Sequence, residues 1–241
     1  MVEKLKLISR QIPWFLVVKA AVCGLAWYFL PFIVFLPVVF YFYFRPFYQP
    51  MKFIVPFTAF LVLTSPLFFE KSLGMAILAG IFFFIILGVK DLIFIGRRHG
   101  FEVAVLFVSF LLFLVFFSRF DDWSTSMVLW SLPVFLVFFL LLKNLINYND
   151  SLGSEQAAER SHGNIHLFFS AFILWQLSWV LFLVPFSLVY RMALIFITSF
   201  VFSELNIAYL GRGLSRRRIL GSFSLLFAVF VVALASNRWV L

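Results

Sequence analysis

Glu204 is a carboxylate inside the apolar run 192–210, where an ionised group is costly. It lies seven residues from the end of the run near Arg212, roughly 10 Å at the rise of a helix. Lys19 lies at a similar depth in the run 12–30. It is the one opposite charge expected at that level, so a Lys19–Glu204 pair would neutralise both and tie the first helix to the eighth. The competing arrangement leaves Lys19 snorkelling to the interface and Glu204 protonated or hydrated. Ser199, Ser203 and Asn206 follow i, i+4, i+7 spacing and share one helix face. Beside Glu204 they would furnish a proton or cation site. The arrangement we expect of them instead is hydrogen bonding to a neighbouring helix, and Gln176, near the middle of 166–187, is expected to do the same.

Other groups carry weaker chemistry. Glu155, Glu159, His162 and His166 would form one stripe on a continuous helix, with ligand types that suit zinc. Gly163 is expected to break that stripe, so Glu159, His162 and His166 stay candidates and no metal is assigned. Asp121 and Asp122 are neighbours on a short loop, a setting that favours solvation over acid–base work. Arg212, Arg216, Arg217 and Arg218 form the densest charge cluster. Such clusters attract anionic headgroups by about 1 kcal/mol per residue, and they also orient a chain in its membrane. No G-x-S-x-G, H-E-x-x-H or P-loop pattern occurs, and no cofactor is implied.

The elements that hold these residues are set by composition. The chain of 241 residues is 64% apolar and 12% charged, with a mean hydropathy of +1.10. A soluble domain is about half apolar and a quarter charged, so this is the composition of an all-helical, polytopic membrane protein. Nine apolar segments are read at 12–30, 31–44, 53–69, 73–89, 101–118, 125–142, 166–187, 192–210 and 219–236. They form a single integral membrane domain. Segment 31–44 is short and contains Pro37, so 12–44 could be a hairpin turning at Pro31, one kinked helix, or a helix followed by a re-entrant stretch. The basic N-terminus followed by 12–30 reads as an uncleaved first helix. The largest loop is expected at 143–165, with a short helix at 154–162 ended by Gly163.

Charge chooses the hairpin. With nine crossings and the N-terminus inside, fourteen of the loop Lys and Arg residues fall inside, and only Lys71, Arg119, Arg191 and Arg238 fall outside. The C-terminus is then outside. Several aromatics agree: Trp14, Tyr41, Tyr43, Tyr148 and Tyr209 near inner ends, and Trp27, Tyr28, Trp123, Tyr190 and Trp239 near outer ends. The 38 Phe residues are expected to face lipid. Cys23 is the only cysteine, so no intrachain disulfide forms. The net charge of +9 reflects inner loops and not nucleic-acid binding.

Small residues mark two packing faces: Ala76 and Gly80 on 73–89, and Gly221, Ser224, Ala228 and Ala235 on 219–236. The count of nine helices invites comparison with intramembrane prenyltransferases. Their second acidic loop would fall at 45–52, which holds no acid, so the comparison fails. The functional expectation is a non-catalytic membrane component or complex subunit, placed in the cytoplasmic membrane and touching anionic headgroups. A carrier centred on Glu204 is the alternative, and a lipid-modifying enzyme the second alternative.

Overall fold

The computed structural model describes residues 14–45, 53–67, 72–90, 97–120, 125–152, 160–184, 186–211 and 215–236. Among them stand nine α-helices and no strand. In order these are α1 (Trp14–Phe29), α2 (Phe32–Phe44), α3 (Ile54–Leu67), α4 (Leu73–Lys90), α5 (Arg97–Arg119), α6 (Thr125–Leu152), α7 (Arg160–Leu183), α8 (Leu188–Gly211) and α9 (Arg216–Ser236). Each matches one apolar segment. Six of them, α4 to α9, are long and apolar enough to cross a bilayer, and α1, α2 and α3 are shorter apolar helices. The chain is therefore a helical membrane bundle. It divides into two compact units, Met1–Ala104 and Val105–Leu241.

In the first unit the question of 12–44 is settled as a hairpin. Helix α1 ends at Phe29, and Pro31 is extended (φ −69°, ψ 153°) before α2 begins. Proline favours that conformation and cannot continue the preceding ladder. The two helices return antiparallel: Trp27 meets Phe35 edge-on at 5.3 Å, while Lys19 Nζ donates to the carbonyl of Arg45 at 2.9 Å. Pro37 stays inside α2.

Helix α1 packs most closely on α4. A Cβ on Gly24 would lie 2.9 Å from the Ala76 carbonyl oxygen, and one on Gly80 would lie 3.2 Å from the Ala20 carbonyl oxygen. Two backbones can approach this far only where side chains are hydrogen or methyl. The small face at Ala76 and Gly80 is thus used within the chain, and its partner is Gly24.

The expectation that phenylalanines face lipid is corrected in part: Phe29, Phe169 and Phe227 are exposed, but others form a core. Phe57, Phe60, Phe82 and Phe83 are buried. Tyr43 stacks on Phe57 at 3.7 Å and Phe60 on Phe82 at 4.1 Å. Stacked and edge-on ring pairs gain beyond the area they bury, and lipid offers the rings no such partner. Trp27 and Tyr43, expected at the headgroups, are fully buried for the same reason.

In the second unit, α5 sets Phe113 against Phe138 of α6, Phe117 against Phe182 of α7 and Phe110 against Phe196 of α8. Helix α7 packs on both α6 and α8, and α9 packs mainly on α8. The 143–165 loop is corrected as well. Helix α6 runs on to Leu152 and α7 starts at Arg160. The extension buries Leu145, Ile146 and Tyr148 on one side, and no glycine or proline occurs between Pro133 and Gly153 to stop it. Gly163 likewise breaks nothing: α7 runs through it and Asn164.

Candidate functional site

Glu204 sits on α8 and lines a cleft between α8 and α9, together with Phe200, Val201, Gly221, Ser222 and Leu225. The cleft holds about 350 Å³. Glu204 is half-buried there and has no ion-pair partner among the described residues. Gly221 lines open space: a Cβ on it would meet no atom within 4 Å. Where α8 offers a carboxylate, α9 offers a bare backbone and the neighbouring Ser222.

The polar face of α8 is a separate structure. Ser199, Ser203 and Asn206 are all buried. Ser199 Oγ donates to the Ile195 carbonyl at 2.7 Å and Ser203 Oγ to the Ser199 carbonyl at 2.8 Å. Asn206 Nδ2 reaches across to Ser170 Oγ of α7 at 2.9 Å, and Ser170 Oγ donates on to the His166 carbonyl at 2.9 Å. The His166 ring lies 4.3 Å from the Tyr209 ring. These contacts lock α7 to α8. Residues 204 and 206 are about 200° apart around a helix, so Glu204 opens toward α9 while Asn206 faces α7.

Lys19 and Glu204 fall in different units, and each has its own surroundings. Lys19 is buried, its ammonium held by the Arg45 carbonyl and set 4.4 Å from the centre of the Phe15 ring. Arg45 in turn bonds the Tyr41 hydroxyl. Sequence reasoning missed Lys90, which is one of the fourteen cations counted in inner loops. Lys90 is the last residue of α4 and fully buried, with Nζ 5.6 Å from the Tyr43 ring centre. The usable signal was its position directly after Leu73–Val89, with no breaker between. At the start of α5, His99 meets the Glu102 carboxylate at 3.0 Å.

Gln176 departs from expectation. It is exposed on α7 and makes no hydrogen bond among the described residues. The metal stripe gains a continuous backbone through His162 and His166, but Glu159 and the His162 side chain lie outside the described residues. Among the described residues no three His, Cys, Asp or Glu side chains come together. Arg216 and Arg217 are exposed in the first turn of α9, while Arg212 and the Arg218 side chain lie outside the described residues. Cations at a helix N-terminus oppose the macrodipole, so the helix dipole does not account for this placement. No known family model, curated protein or solved structure matches this chain.

Proposed function

We propose that the protein is a non-catalytic component of a cytoplasmic membrane, a helical subunit that offers α9 to a partner helix. The observation that carries this reading is the surroundings of α9. Its span Ile219–Ser236 is only 6% buried, against 50% for Leu73–Lys90 and 61% for His99–Arg119. Ser222, Leu226, Val229 and Ala233 form the side toward lower exposure, while Gly221, Ser224, Ala228 and Ala235 are exposed. The small face of α4 is spent on α1, and the small face of α9 remains open. Close approach of another helix to such a face gains packing that lipid chains do not supply. Arg216 and Arg217 at its inner end meet anionic headgroups or an acidic partner.

The test places a thiol-attached benzophenone at Ser224→Cys, in a Cys23→Ser background, in native membranes. The reading expects one discrete protein adduct that is lost on Gly221→Leu. Adducts with lipid alone would contradict it.

A second reading is favoured by the cleft at Glu204: a carboxylate with no ion-pair partner among the described residues, beside Ser222, suits a proton or small cation. In proteoliposomes, Glu204→Gln would then abolish proton-coupled flux while leaving the fold intact. Equal flux in the two proteins would dismiss that reading.

A further inference from the structure

Gln176 lies two residues past the middle of the span Ile165–Leu183, about 3 Å from its centre. Its amide has two donors and an acceptor oxygen with two lone pairs. At that depth lipid satisfies none of them, and an unsatisfied polar group in hydrocarbon is costly. The residues around it on the same face are Phe169, Ile173, Val180 and Leu183, all exposed. With Gln176 they are spaced 4, 3, 4, 3, which is the a/d spacing of a helix–helix seam. The α6 side of α7 is already filled, with Phe168 against Phe135 at 5.5 Å, and the α8 side is held by Ser170 and Asn206.

We propose that this face of α7 binds α7 of a second copy of the chain, with the two Gln176 amides hydrogen-bonded to each other. Two copies inserted in the same orientation are related by an axis along the membrane normal. Residues of equal depth then meet, so Gln176 meets Gln176 without any adjustment of register. An amide is self-complementary, since each can donate to the other's oxygen. A single polar residue in such a seam sets register and partner. The proposal concerns α7 and stands apart from the reading of α9.

The test uses the full chain in lipid vesicles, with Cys23→Ser and single cysteines at Phe169, Ile173 or Val180. Leu129, which is 65% exposed on α6, serves as the control. Oxidation should give a covalent dimer from the three seam positions and not from Leu129→Cys. Gln176→Leu should weaken dimerisation about eightfold, taking two interhelical bonds at their average strength in a membrane protein. Gln176→Asn should recover part of that loss. Because Gln176 is exposed, these variants leave the fold of the monomer unchanged, which its melting temperature reports. Equal cross-linking at Leu129, an unchanged dimer constant in Gln176→Leu, a monomer at all protein densities, or cross-links to a different protein would each overturn the proposal.

Discussion

Gly24→Ala adds one methyl at the tightest point of the α1–α4 crossing. That methyl would lie 2.9 Å from the Ala76 carbonyl oxygen, whereas ordinary contact begins at 3.4 Å, so the helices must part by about 0.5 Å. The obstacle is backbone and cannot swing aside. A radial gap of about 0.5–1 Å forfeits a quarter to a half of each dispersion contact, and the loss runs along the whole crossing. Overpacking of this kind costs about 1–3 kcal/mol. We expect about 2 kcal/mol, roughly a 30-fold change in the folding equilibrium. Gly80→Ala meets the Ala20 carbonyl oxygen at 3.2 Å, a smaller deficit, and should cost less than half as much. Gly74 and Gly221 have open space around them, so their alanine variants should be neutral or slightly stabilising through helix propensity, by at most about 1 kcal/mol. Denaturation of the four variants in mixed micelles, followed by tryptophan fluorescence, measures the series. A neutral Gly24→Ala, or equal effects at all four glycines, would refute the packing argument.

Two further predictions concern charge. Lys19 has the Arg45 carbonyl as its acceptor, so whatever stability changes Lys19→Met and Glu204→Gln produce should add in the double variant; rescue in the double would instead establish the pair inferred from their depths. Replacing Arg216, Arg217 and Arg218 together by Lys should leave topology and assembly unchanged if headgroups are attracted by charge alone. A large loss of assembly would show that planar, bidentate recognition is needed.

The elements were legible because hydropathy marks them: α4 starts at Leu73 and α9 ends at Ser236, as their apolar runs predict. Ala76 and Gly80 were legible as a packing face because two small residues four apart stand among large ones. Gly24 was not, since one glycine in an apolar run has no visible direction. Burial of the phenylalanines was hidden for a related reason. In a helix that is apolar all round, periodicity does not separate the lipid side from the core, so Phe57 and Phe60 look the same as Phe227. The same blindness concealed that Gln176 points away from its neighbours. Residues Lys143–Leu152 looked like loop because they are polar, although Leu145, Ile146 and Tyr148 continue the buried stripe. For the site, the depth of Glu204 was legible, but its separation from Ser203 and Asn206 depended on where α9 sits.

The proposed topology has nine crossings, three of them made by the shorter helices α1, α2 and α3. Single cysteines at Val2, Ser154 and Asn237, in a Cys23→Ser background, can be labelled with a membrane-impermeant maleimide in right-side-out and inverted vesicles. Among the described residues, six helices lie between Val2 and Ser154 and three between Ser154 and Asn237. The account predicts Val2 and Ser154 on the inner side and Asn237 on the outer side. Val2 and Ser154 on opposite sides, or Ser154 and Asn237 on the same side, would contradict it.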